Sequence, residues 1–264
     1  MEEHKNPIKP KEAVISEIIQ QKLDIQTTKQ SIGNNTGLNI AQLPEVEVAA
    51  VKEYENTTIT PAIVRPAPEG GHPWVVVVMK NNRHHCTGSI LNDKWIVTAA
   101  HCFSGNDTQN VKNFTIRSGT VLRLDGNEYP VAKIVQHPRW DFYGYKNADI
   151  ALMKINGTID MGVHIHPIAL PKTLFEEPVR DNMIIAGWGK KTINMSATLL
   201  LANEFKLSII PMAHCAQAYS NINYVVYKSQ VCTWNINQSG NSGGPAVEFR
   251  NDGFPLVFTK LTKL

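Results

Sequence analysis

Trp95-Ile96-Val97-Thr98-Ala99-Ala100-His101-Cys102 is the stretch on which the reading of this chain turns. Trp95–Thr98 has the aromatic and β-branched composition of a strand. The small residues Ala99 and Ala100 then let the chain turn, and a histidine emerges beside a cysteine. Taken alone, such a histidine also fits a structural role at a strand end.

Two other segments change its meaning. Asn147-Ala148-Asp149-Ile150-Ala151-Leu152-Met153 sets an acid at the head of an apolar strand. Burying a lone carboxylate is costly, so Asp149 needs a partner, unless it is only a turn residue. Gly240-Asn241-Ser242-Gly243-Gly244-Pro245 flanks a serine with glycines. The backbone there can turn tightly and a substrate can approach closely, although plain Gly-rich loops are common. Acyl transfer at neutral pH needs a hydroxyl made nucleophilic by an adjacent base. The base needs an acid that fixes its tautomer, and the developing oxyanion needs amide donors. His101, Asp149 and Ser242 supply these side chains, and the amides of Gly240 and Ser242 are the candidate oxyanion donors.

Composition narrows the field. The 264 residues suffice for one large domain or two small ones with a real core. With 42% hydrophobic and 19% charged residues the balance is globular rather than disordered. A net charge of +3 is too weak to imply nucleic acid. Apolar runs such as Trp74–Met79 have strand length, which argues against a membrane span. Four cysteines, Cys86, Cys102, Cys215 and Cys232, permit two disulfides in three pairings, or four buried thiols. Seven Asn-x-Ser/Thr acceptors, at Asn34, Asn56, Asn106, Asn113, Asn156, Asn194 and Asn237, favour a secreted glycoprotein. The start Met1-Glu2-Glu3-His4-Lys5 is followed by no apolar stretch, so the natural amino terminus is expected to differ.

Residues 1–62 contain no Cys, Trp or Phe and read as a leader or pro-segment. Ile15, Ile18, Ile19 and Leu23 share one helical face, a pattern that suits an amphipathic helix over 13–25 within it. From Ile63 onward the texture is all-β. Strands are expected at Trp74–Met79, Trp95–Thr98, Phe114–Arg117, Val121–Leu124, Val131–Val135, Ile150–Ile155, Met183–Ala186 and Leu207–Ile210. Met212–Tyr219 and the turn around Ala99–His101 read as helical. His84 and His85, near Arg83, read as solvated residues of a loop tip. His164 and His166 have no acid or cysteine nearby at zinc spacing and read as solvated loop. Trp188 is expected to pack the second half of the domain, and nothing points to a metal or cofactor.

Thr98-Ala99-Ala100-His101-Cys102, Asp149-Ile150-Ala151-Leu152 and Gly240–Pro245 together resemble the trypsin/chymotrypsin-like serine endopeptidases. Gly71-His72-Pro73-Trp74, His137-Pro138-Arg139-Trp140, Pro167-Ile168-Ala169-Leu170-Pro171 and Ala186-Gly187-Trp188-Gly189 support the likeness, as do triad intervals of 48 and 93 residues. The resemblance covers about residues 63–250. It implies two antiparallel six-stranded-type β-barrels, roughly 63–172 and 173–264, with the triad between them. It implies disulfides Cys86–Cys102 and Cys215–Cys232. It also implies a monomer that acts on protein or peptide substrates and meets protease inhibitors, with no nucleic acid or membrane partner.

Departures from the family concern activation and substrate binding. Asn241 stands where the family has an Asp that pairs with a new α-amino group after zymogen cleavage. Ile63-Val64 matches the mature start, but Arg65-Pro66 replaces the usual glycines and Pro61-Ala62 offers no basic cleavage point. Ile236, Asn237 and Ser239 fall at the substrate pocket, and no acid lies between Cys232 and Ser242 to select Lys or Arg. Only 22 residues follow Ser242, so the second barrel is expected to lack its last strands beyond Phe254–Phe258. An inactive homologue that serves as a binding or regulatory protein is the alternative these departures raise.

Overall fold

The computed structural model describes residues 63–140, 148–170, 182–189, 201–210, 215–217, 219, 230–233, 241–249 and 255–258. The leader 1–62 and its helix over 13–25 lie outside them. The architecture is all-β. Strands β2 (Val75–Lys80), β3 (Arg83–Ile90), β4 (Trp95–Thr98), β5 (Phe114–Ser118), β6 (Asn127–Gln136) and β7 (Ala151–Ile155) form a closed antiparallel barrel in the order β2-β3-β4-β7-β6-β5. A second sheet runs β1-β9-β8-β11-β12, from β1 (Ile63–Pro66), β9 (Asn203–Ile210), β8 (Asn182–Gly187), β11 (Ala246–Phe249) and β12 (Pro255–Phe258). A short β10 (Cys232–Thr233) pairs with the end of β9. A closed barrel plus a second antiparallel sheet is the expected chymotrypsin-like arrangement.

Alternation writes the first barrel. In β5, Phe114 and Ile116 point inward while Thr115 and Arg117 do not. In β7, Ala151, Met153 and Ile155 do the same. With Val76, Val78, Ile90 and Ile96 they form one apolar core. Asn81 and Asn82, at φ 50° and 60°, make the tight β2–β3 turn, whose left-handed pair suits Asn. A smaller core of Met183, Ile185, Phe205, Leu207 and Ala246 lies under the second sheet.

Several expectations need correction. Val121–Leu124 is not a strand. It lies in the loop joining β5 to β6, where Gly119 and Gly126 take φ of +90° and +81° and break the extended backbone. Leu122 forms an antiparallel bridge to Leu201. His84 and His85 sit on β3, half-buried, not on a solvated loop tip. His85 shares a hydrogen bond with the Cys102 carbonyl and meets the Phe114 ring edge-on. Burial, with Arg123 and His85 nearby, lowers the His84 pKa to about 4. Trp188 is buried, but its indole N–H donates to the Val121 carbonyl at 2.7 Å, so it also ties β8 to the first barrel's loop. The expected helix at Met212–Tyr219 is helical at Cys215–Gln217 and Tyr219, its only described residues. The Ala99–His101 turn is a single 3-10 turn over Ala100–Cys102. His164 and His166 are exposed in the segment after β7.

Candidate active site

Register explains why His101 and Asp149 meet. β4 and β7 are antiparallel neighbours in which Thr98 lies opposite Ala151. The chain leaving β4 and the chain entering β7 therefore emerge at the same barrel end. His101 comes three residues after Thr98, and Asp149 two residues before Ala151. Ala148, at φ 56°, turns the backbone ahead of the acid. The 3-10 turn then brings His101 round, and the Cys86–Cys102 disulfide fastens that turn to β3.

The contact between them is double. Asp149 Oδ1 accepts the backbone N–H of His101 at 2.8 Å, and Oδ2 accepts the ring Nδ1–H at 2.7 Å. The carboxylate side chain is 13% exposed and the imidazole 38%. An ionised carboxylate only accepts, so Nδ1 carries the proton, and the Nε2 of a neutral ring keeps a lone pair that can take up a proton. The backbone contact fixes the carboxylate, and the ring contact fixes the tautomer.

Ser242 comes from the second half of the chain and is half-buried. Its carbonyl accepts the N–H of Thr87 on β3 at 2.8 Å, and Cys102 Sγ lies 4.0 Å from the same oxygen. Gly243 follows at φ +80°, and a Cβ there would collide with Thr98 Oγ1 and come within 2.8 Å of the Ala99 nitrogen. The serine loop is thus docked on the residues that lead into His101. Thr98 Oγ1 donates to the Thr87 carbonyl at 2.8 Å, so one β3–β4 link supports both halves. Thr87 escapes a motif-based reading because its role is positional and its strand is largely polar, whereas Thr98 belongs to the motif that ends in His101-Cys102. Gly240, Ile236, Asn237 and Ser239 lie outside the described residues.

Both cystines have the pairing that the resemblance implied, Cys86–Cys102 and Cys215–Cys232. A ring nitrogen of His101 lies within 4.8 Å of the Cys86 and Cys102 sulfurs, but both sulfurs are joined in a disulfide and offer no thiolate to a metal. Among the described residues no helix is long and apolar enough to cross a membrane.

The trypsin family model matches residues 64–254. The chain is 30% identical over 225 residues to an ovochymase of Halocynthia roretzi, matching 74% of this chain and 14% of that protein. It is 29% identical over 191 residues to the transmembrane protease serine 11B of Homo sapiens, matching 72% of this chain and 43% of that protein. The chain thus spans about a seventh of the first relative's length and somewhat under half of the second's.

Proposed function

We propose that this chain, which belongs to the trypsin family, is a serine endopeptidase that hydrolyses peptide bonds through an acyl-enzyme. Trypsin-family membership supports protease chemistry in general; the assignment of His101, Asp149 and Ser242 to the three catalytic roles is our reading. Ser242 Oγ attacks the scissile carbonyl carbon while His101 Nε2 takes the hydroxyl proton. The C=O electron pair moves onto oxygen, where the amides of Gly240 and Ser242 donate to it. As the C–N bond breaks, His101 returns the proton to the leaving amine. Water then repeats the sequence, with His101 as base and the ester oxygen of Ser242 as leaving group. Asp149 stays ionised throughout, holds the tautomer and stabilises the imidazolium.

The observation that supports this most is the double hydrogen bond between Asp149 and His101. A surface ion pair has no need of a fixed tautomer, whereas a general base does. We further propose that the pocket is formed around Ile236, Asn237 and Ser239 and prefers uncharged side chains, since no acid lies nearby in sequence. Secretion is the setting that suits two cystines and the glycosylation acceptors.

Fluorophosphonate labelling of the folded chain, compared with Ser242→Ala, tests the reading. Wild type should take up one label per chain and the variant none. An unlabelled, natively folded wild type would overturn it in favour of a binding or regulatory role.

A further inference from the structure

Asn241 is neutral where an ion-paired acid would be expected, yet it is far from idle. Its side chain lies against the two glycines that flank Trp188. A Cβ on Gly187 would sit 2.5 Å from Asn241 Oδ1, and one on Gly189 would sit 2.6 Å from Asn241 Cγ. The N–H of Gly189 donates to Oδ1 at 2.7 Å, which orients the carboxamide. The Asn241 carbonyl accepts the N–H of Gly244 at 3.0 Å and closes the turn that carries Ser242. One residue therefore ties the serine turn to the end of β8, while Ser242 itself ties it to β3 through Thr87.

The position of Ile63 bears on how this arrangement is reached. In the second sheet Ile63 lies opposite Lys206, whereas Pro66 and Gly187 lie opposite Asn203 on either side of β9. Ile63 is thus three residues along and two strands across from Gly187. At about 3.3 Å per residue and 4.8 Å per strand, the separation is roughly 14 Å. In the uncut chain the Ile63 nitrogen therefore makes no contact with the residue that packs on Gly187. Nor does a neutral carboxamide offset the burial of an ammonium as a carboxylate does.

We propose that Asn241 is a positioning residue that holds the Ser242 turn in its working geometry in the uncut chain, so that acylation of Ser242 needs no new amino terminus at Ile63. This rests on the endopeptidase reading above. The anchor is a hydrogen bond between the carboxamide and a backbone amide, and it exists while the chain before Ile63 is intact.

The test compares the intact chain, a chain with an engineered cleavage sequence in place of residues 58–62 cut to expose Ile63, Asn241→Ala and Asn241→Asp. Two quantities are read: the rate of fluorophosphonate labelling, and hydrogen exchange at the Gly189 and Thr87 amides. Intact and cut wild type should label at rates within about threefold, less than RT ln 10 apart. Asn241→Ala should slow labelling about 10²-fold and deprotect both amides. Asn241→Asp keeps an oxygen facing Gly189, so it should restore the protection and most of the rate in the uncut chain. A merely structural residue would not separate Ala from Asp in this way. Labelling that appears only after cleavage, or unchanged labelling and protection in Asn241→Ala, would overturn the inference alone. Absence of label from every form would overturn the endopeptidase reading and this inference with it.

Discussion

The first barrel and the second sheet contribute to the candidate site by different means. The first barrel closes on itself through six strands, so His101 and Asp149 are set by register and by a disulfide. The second sheet brings Ser242 on a turn beyond its strand ends, held by backbone amides borrowed from neighbours, Thr87 and Gly189. The proposed base and its orienting acid are built into a closed barrel, whereas the proposed nucleophile is docked onto it. The two halves should therefore fail differently when perturbed.

The largest effect belongs to the built-in half. Asp149→Asn leaves size and packing nearly unchanged but turns an acceptor into a donor facing Nδ1, which favours the wrong tautomer. By family analogy turnover should fall about 10⁴-fold, with little change in melting temperature. Peptide hydrolysis and fluorophosphonate kinetics, read beside a thermal melt, check it. A loss below tenfold would mean that His101 does not act through Asp149.

The two cystines sharpen the contrast further. They close loops of nearly equal length, with sequence separations of 16 and 17. Chain entropy therefore makes their removal similarly costly, about 3 kcal/mol each. Their effects on activity should part. Replacing Cys86 and Cys102 by Ala frees the turn that carries His101, and labelling should slow at temperatures where the variant is still folded. Replacing Cys215 and Cys232 should lower the melting temperature comparably and slow labelling much less. Equal kinetic losses would erase the distinction drawn between the halves.

Much of this was legible in the letters and some was not. β2, β4 and β7 announce themselves as apolar runs, and short motifs single out His101, Asp149 and Ser242, the triad proposed above. β3 does not, because Arg83, His84, His85, Thr87 and Ser89 are polar. Its strand character comes from being sandwiched between β2 and β4, a tertiary cause no local pattern carries. β1 is hidden for a related reason. Pro66 suits only an edge, and Arg65 is satisfied by Glu204, 139 residues away. Val121–Leu124 errs the other way, since its apolar letters lie in a loop bounded by left-handed glycines. The docking of the serine turn depends on Thr87 and Gly189, whose identities say nothing by themselves.

His84 gives a pH signature specific to the first barrel. Burial lowers its pKa to about 4, from an ordinary value near 6.5. The unfolded chain therefore binds a proton that the folded chain refuses between those values. Stability from this residue is complete above about pH 6.5 and is lost as the pH falls toward 4. The loss is roughly 2–3 kcal/mol. His84→Gln should flatten that part of the denaturant-midpoint profile. An unchanged slope would place the titrating group elsewhere.

The smallest effect is expected at Glu204 in the second sheet, and it acts over a different pH range. Burial pushes this carboxyl's pKa up, but hydrogen bonds from His72 and Arg65 outweigh it and hold the pKa below the ordinary glutamate value. His72 Nε2 lies 2.7 Å from Glu204 Oε2, and both side chains are under a tenth exposed, whereas Arg65 is mostly in solvent. The group contributes stability above about pH 4.3, lost as the pH falls through its lower folded value. Because Arg65 is exposed, its share is screened, and most of the effect rests on the buried His72 contact. Glu204→Gln should cost about 1–2 kcal/mol at neutral pH, the scale of a hydrogen bond to a charged group, and remove that acid-side loss. β1 is held to β9 partly by this cluster, so proteolysis near Ile63 should quicken in the variant while labelling of Ser242 holds steady. A matching drop in labelling would show that the edge strand and the serine turn are coupled, against the roughly 14 Å that separates Ile63 from Gly187.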